Sequence, residues 1–248
     1  MASLHLGAIH QEQWFGKKQT NFSNAAEYEI LPIALGDAER VLDFLRRFFF
    51  RDEPLNYAIG LTTDGRSSMH LEAHCLVTLS HGLSLMAVEG GPTGRIIGVS
   101  LNAEGKPGDA DTLAVEADRC PDPKFRRILR ILETVERNSD VLEKYNADRQ
   151  LELRIISVDD SCRGRGVASK LLKQTIELGR RRGFPVFRVD CTSAFSAKAM
   201  ERAGLPCVYS LSYEDYAKQE AERYPEEAQP PLIPSSPHTH VKCYAVKL

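Results

Sequence analysis

Ile155-Ile156-Ser157-Val158-Asp159-Asp160-Ser161-Cys162-Arg163-Gly164-Arg165-Gly166-Val167-Ala168 reads as an apolar strand, a short polar turn and the opening of a helix. A helix starting near Gly166 leaves its first amide N–H groups without intrahelical partners, at the positive end of the dipole, where an anion is favoured. Gly164 and Gly166 remove side chains that would hold a bulky pyrophosphate off the backbone. They also permit turn conformations that gather N–H groups into a concave nest. A P-loop needs Lys-Ser/Thr after its last glycine, and Val167-Ala168 stand there instead. The dinucleotide fingerprint is met only in part, because a third small residue is missing and the turn comes late in the chain. The same residues also fit a tight strand-to-helix turn that holds no ligand.

Working outward, 248 residues at 42% hydrophobic with a formal net charge of −2 suit a soluble α/β chain with a substantial core, read here as one domain. Near-neutral charge argues against broad nucleic-acid binding, and the basic cluster Arg180-Arg181-Arg182 before Gly183 reads as a helix C-terminus. The six cysteines show no Cys-x-x-Cys pair, which indicates free thiols of a reducing compartment rather than a zinc or redox centre. No membrane-length apolar run and no signal-like leader occur, so a cytoplasmic location without membrane association is expected. His70 and His74 have the spacing of a helical metal pair, but no third ligand accompanies them; they read as surface residues, and no metal is expected.

Residues 1–26 read as a flexible leader and 27–248 as the folded domain. Tyr28 to Ile33 is a strand, followed by a helix capped by Asp37 and carrying Val41, Leu42, Leu45, Phe48 and Phe49 on its apolar face. A helix is expected within Thr63 to Leu79, a strand pair across the turn at Gly90-Gly91-Pro92-Thr93-Gly94, a polar loop over 102–120 and a helix from Pro123 to Ser139. After the opening stretch come a helix to Arg182, a strand from Pro185 to Cys191, a helix from Ser193 and a strand from Cys207. The Glu- and Pro-rich 217–238 reads as a long excursion, and His240 to Leu248 as a closing strand. This order describes an α+β domain around one mixed sheet.

Strand, Arg163-x-x-Gly166-x-Ala168, helix, strand, then Ser196-Ala197-x-x-Met200-Glu201-x-x-Gly204 resembles the GNAT superfamily of acetyl-CoA-dependent N-acetyltransferases. Phe48-Phe49-Phe50-Arg51-Asp52-Glu53-Pro54-Leu55-Asn56, with Pro123-Lys124-Phe125, Ile156-Ser157-Val158 and Cys191-Thr192-Ser193, is similar to the insect arylalkylamine (dopamine-type) branch. The resemblance implies the GNAT fold: one mixed, mostly antiparallel sheet of about seven strands, its central strands splayed, with helices on both faces. It implies acetyl-CoA as co-substrate, bound through Arg163, Gly164, Arg165, Gly166, Val167 and Ala168 at the pyrophosphate, Ile156, Ser157 and Val158 along the pantetheine, and Ser193 nearby. It further implies a small-molecule amine partner of the dopamine, serotonin, tyramine or octopamine class, acetylated by direct attack in a ternary complex, on a monomer.

The chemistry has two requirements. An alkylammonium of pKa about 10.4 must lose a proton, at a cost near pH 7 of about 4 kcal/mol; Glu53 is the expected general base. The departing thiolate must gain a proton, and Met200, where many GNAT enzymes carry a tyrosine, cannot donate one. The resemblance shifts that role to Thr192 and Ser196. Ser193 and Ser196 also suit helix N-capping. Three alternatives remain: an aliphatic polyamine acceptor, a longer acyl-CoA donor, or a CoA-binding module without catalysis.

Overall fold

The computed structural model describes residues 27–62, 68–227 and 229–248. The strands are β1 (Tyr28–Pro32), β2 (Leu85–Glu89), β3 (Arg95–Gly105), β4 (Gln150–Val158), β5 (Val186–Cys191), β6 (Cys207–Ser212) and β7 (His240–Lys247), joined in one sheet of order β1-β2-β3-β4-β5-β7-β6. Every neighbouring pair is antiparallel except β4 with β5, which run parallel. The helices are α1 (Ala38–Phe48), α2 (Pro54–Ala58), α3 (Met69–Ser80), α4 (Asp109–Arg119), α5 (Pro123–Ser139), α6 (Val141–Tyr145), α7 (Val167–Arg181), α8 (Ala194–Arg202) and α9 (Tyr213–Arg223). The expected leader and the first residues of the helix expected from Thr63 fall outside the described residues. No helix among the described residues is long and apolar enough to cross a membrane.

Side-chain alternation on the central strands separates two apolar layers. Val186 joins the layer of α1, α3 and α5, whereas Phe187 and Val189 pack with Leu172 of α7 and with Ala197 and Met200 of α8. On β4 the alternation is interrupted: Leu101 of β3 faces Ile155, but the next residue, Asn102, faces Leu153, leaving Arg154 over as a bulge. Leu151 and Leu153 therefore face α7, while Ile155 beyond the bulge faces α5. Gly98 is required where α7 crosses β3, because a Cβ there would lie 2.9 Å from Val167 Cγ1 and 3.2 Å from the Ser157 carbonyl oxygen.

Three expectations need correction. The polar stretch over 102–120 is not a loop: β3 continues to Gly105, and Asp109–Arg119 forms α4, whose acidic first turn suits a helix N-terminus. Asp37 stands at the N-cap position of α1, as expected, but its side chain accepts no first-turn N–H; the carboxylate instead accepts the Ala34 N–H at 3.1 Å and pairs with Arg40 at 2.8 Å, closing the turn before the helix. The excursion over 217–238 is packed in both halves. Its beginning belongs to α9, whose Tyr213 and Tyr216 are buried and whose Glu220 pairs with Arg127 of α5 at 2.6 Å; beyond the helix Glu227 pairs with Arg130 of α5 at 2.9 Å and Leu232 is fully buried. Local polarity concealed this because the acidic residues meet arginines distant in sequence.

Leu232→Ala tests this correction. Emptying a fully buried leucine site should lower unfolding free energy by about 2–5 kcal/mol in a denaturant titration, whereas a leucine on a solvated strap would change it by less than about 0.5 kcal/mol.

Candidate active site

Parallel pairing of β4 with β5 covers only Leu151↔Phe187, Glu152↔Arg188 and Leu153↔Val189. Beyond Leu153 the two strands part, and a cleft of about 1820 Å³ passes between them, lined from both sides of the sheet. Residues 154–158 keep a β4 edge toward the cleft that no strand among the described residues covers. Ile156, Ser157 and Val158 line it, and an extended ligand of alternating amide donors and acceptors could pair with that edge. The Ser157 hydroxyl itself donates to the Phe48 carbonyl at 3.1 Å, tying the end of α1 to β4.

The turn before α7 opens on the same cleft. Gly164 and Gly166 both have φ of +77°, a conformation other residues adopt only at a cost, and open space lies where a Cβ would stand. Gly166 is the N-cap of α7 and has no side chain to satisfy the first-turn N–H groups. Arg163 and Ala168 line the cleft, with Arg163 exposed and paired to Asp160 at 2.5 Å. Two expected contributors turn elsewhere. The Arg165 guanidinium pairs with Glu89 at 2.7 Å and donates to Cys162 Sγ at 3.3 Å, and Val167 is buried in the core. Any contact they make with an anion in the turn comes from their main chain.

At the opposite wall, α1 ends and the chain turns through residues 49–53 into α2. The turn is held from inside: Asn56 is buried and donates from Nδ2 to the Phe50 carbonyl at 3.1 Å. Glu53 is the N-cap of α2, its Oε2 accepting the Asn56 N–H at 2.7 Å, and Pro54 occupies the first helical position. Its other oxygen, Oε1, is buried without a hydrogen-bond partner among the described residues. Only 8% of Glu53 is exposed. Burial pushes the carboxyl above its ordinary pKa, against the opposing effects of the Asn56 N–H, the Thr192 hydroxyl and the Leu55 N–H. Glu53, Thr192 and Ser196 all line the cleft.

Thr192 follows β5 directly. Its carbonyl accepts the hydroxyl of buried Tyr213 at 2.6 Å. Ser193 caps α8, with Oγ accepting the Phe195 and Ser196 N–H groups at 3.1 and 3.0 Å, while the Ser196 hydroxyl donates to the Ser193 carbonyl at 2.9 Å. His238 accepts the Ala194 N–H on Nδ1 at 3.1 Å and meets Phe195 edge to face. Tyr213 and His238 carry no local sequence signal, being 21 and 44 residues from the positions they hold. Burial raises the Cys191 thiol to about 12, so it is no thiolate near neutrality.

The far part of the cleft is acidic. Glu104, Asp109, Glu116, Glu136 and Glu152 line it, against Lys106 and Arg154. Glu136, Glu152 and Asp190 bring carboxylate oxygens within 4.8 Å of one another. The fully buried Arg188 pairs with Glu136 at 2.6 Å and with Asp190 at 2.8 Å, supplying countercharge. His74, expected at the surface, is half-buried, lines the cleft and pairs with Glu116 at 3.3 Å. Phe48 and Phe49, expected in the core, pack against it and also line the cleft; Phe195 is exposed at its rim, and Tyr57 is exposed away from it.

A profile described as the Acetyltransferase (GNAT) family matches residues 132–204, which run from α5 through the glycine turn to α8. The chain is 30% identical to arylalkylamine N-acetyltransferase 2 from Aedes aegypti, at a TM-score of 0.79, covering 89% of this chain and 98% of that one. A mosquito arylalkylamine N-acetyltransferase like 5b is 26% identical, at a TM-score of 0.78, with 90% of this chain and 100% of that one covered. A Drosophila melanogaster polyamine N-acetyltransferase that forms N-acetylagmatine shares the fold at 24% identity and a TM-score of 0.77, with 90% and 100% covered.

Glu53→Gln probes the buried carboxyl through stability. Because the folded-state pKa is raised, the native protein holds its proton more tightly than the unfolded chain does, and stability falls as pH rises through that interval. The amide variant should therefore melt at a higher temperature than the parent at pH 8, and the gap should close toward pH 4, where both carry an uncharged group. Equal melting temperatures at pH 8 would contradict a desolvated carboxylate.

Proposed function

We propose that this chain, which belongs to the GNAT family of acetyltransferases, transfers the acetyl group of acetyl-CoA to the primary amine of an arylalkylamine. One observation carries the reading: Glu53, a buried carboxylate whose Oε1 has no hydrogen-bond partner among the described residues, lines the same cleft as the glycine turn before α7.

In this reading the pyrophosphate rests on main-chain N–H groups of Gly164 to Ala168, with Arg163 adding charge, and the pantetheine lies along the open edge of Ile156 to Val158. The thioester then sits where β4 and β5 part, and N–H groups of the unpaired β4 edge serve the tetrahedral oxyanion. Glu53 takes the amine proton directly or through a water, its raised pKa narrowing the gap to the ammonium. Thr192 and Ser196 supply the hydroxyls for protonating the thiolate, a step for which Ser196 must turn from the Ser193 carbonyl. Attack is direct, since Cys191 stays a buried thiol. Phe48, Phe49 and Phe195 offer apolar surface to an aromatic acceptor.

The acidic far wall favours a second acceptor class, the aliphatic polyamines, whose additional cation would face Glu104, Glu116 or Glu152. A panel of dopamine, tyramine, serotonin, agmatine and spermidine, followed by release of CoA thiol, separates the two. The arylalkylamine reading expects the largest kcat/KM on the aromatic members, and a preference for spermidine or agmatine would overturn it. On the best acceptor, Glu53→Ala should lower kcat by roughly 10²-fold or more. Acetyl-CoA binding in calorimetry without thiol release from any amine would instead identify a non-catalytic module.

A further inference from the structure

We propose that Tyr213 is a positioning residue of this site, its hydroxyl holding the Thr192 carbonyl and so fixing the Thr192 side chain beside Glu53. The inference rests on the proposed reading of Glu53 as the base, in the cleft that Thr192 also lines. Tyr213 opens α9, directly after β6, and is 1% exposed. Its own N–H donates to the Thr239 carbonyl at 3.0 Å, anchoring the residue to the segment that leads into β7. From that anchor the phenol reaches the Thr192 carbonyl at 2.6 Å, with Glu53 and Cys191 as the titratable groups facing it. Burial and the nearby Glu53 keep the phenol protonated, hence a donor, across the working pH range.

The consequence follows from peptide geometry. Thr192 is the single residue between the end of β5 and the Ser193 cap, so its conformation is set neither by the strand ladder nor by the helix. In a planar trans peptide, fixing the carbonyl direction fixes the opposed N–H and the whole plane. With the Thr192–Ser193 plane held by Tyr213, and with His238 holding the next amide at Ala194, the β-branched side chain has few rotamers left. The Thr192 hydroxyl is among the groups that favour the charged form of Glu53. Tyr213 does not line the cleft and reaches the reacting groups only through Thr192.

Carbon-13 NMR titration of the Glu53 carboxyl, assigned by its loss in Glu53→Gln, tests this without needing turnover. Thr192→Val, which removes the hydroxyl and keeps the shape, should raise the Glu53 pKa by about 0.5–1 pH unit. Tyr213→Phe should shift it in the same direction, and the double variant should titrate like Thr192→Val alone. A Tyr213→Phe protein that titrates like the parent, or one whose shift adds in full to that of Thr192→Val, overturns the proposal and leaves Tyr213 as core packing. If Tyr213→Phe fails to fold, the unsubstituted protein decides: the Tyr213 hydroxyl proton should exchange slowly, and rapid exchange overturns the proposal. With the best amine of the panel, Tyr213→Phe should lower kcat about 3–10-fold, one hydrogen bond's worth, at unchanged KM for acetyl-CoA. If the parent acetylates no amine, the acetyltransferase reading falls while the titration still decides Tyr213.

Discussion

Everything in the site depends on β4 and β5 parting after three residue pairs. A parallel pair that stayed closed would satisfy its own N–H and C=O groups and fill the space between its strands with apolar side chains. Here the ladder stops at Leu153↔Val189, and the bulge at Arg154 reverses which side chains face which layer. The opened sheet gives three things at once: a strand edge with free amides, a passage between the two faces, and the short link at Thr192 from which α8 departs. The tie from Ser157 to Phe48 braces the opening by bringing the end of α1, and with it the Glu53 turn, to the strand that parts.

Glu53 shows what such an opening costs. A carboxylate capping a five-residue helix with one oxygen, and leaving the other buried and unpartnered, disfavours its own charge. A domain selected for stability alone would have satisfied Oε1 or replaced the residue. The surrounding turn is by contrast over-determined, with buried Asn56 and Pro54 fixing its course. Rigid backbone around one under-solvated carboxylate is the arrangement expected where a base must be held ready rather than neutralised.

The acidic wall is a different electrostatic solution. Glu136 is raised to about 7, first by burial and then by the neighbouring carboxylates Glu152 and Asp190, against the opposing pull of Arg188. Glu152 moves the other way: burial opposes its ionisation, but Arg154 and Arg188 outweigh it. Buried Arg188 thus ties β5 to α5 at the far end of the cleft, and the wall keeps an excess of carboxylates.

Much of this was legible in the sequence because it is local. The strand-turn-helix at Ile155 to Ala168 follows from apolar run, glycine pair and helix start, and the structure has it within a residue. Ser193 as a cap is likewise written in its neighbours, and the resemblance of Phe48 to Asn56 to a known loop singled out Glu53. Polarity misled where charges are satisfied at a distance: α4 read as a loop, and residues 217–238 as a solvated excursion, because Arg127 and Arg130 lie far away in the chain. Only the tertiary structure decided that Arg165 turns to Glu89, that Glu53 keeps an oxygen without a partner among the described residues, that Thr192 lines the same cleft, and that Tyr213 and His238 hold the turn between β5 and α8. Periodicity and turn chemistry act over a few residues and survive in a linear reading. Burial, ion pairing and the direction of a carbonyl depend on which distant segments pack together, and those exist only once the sheet has formed.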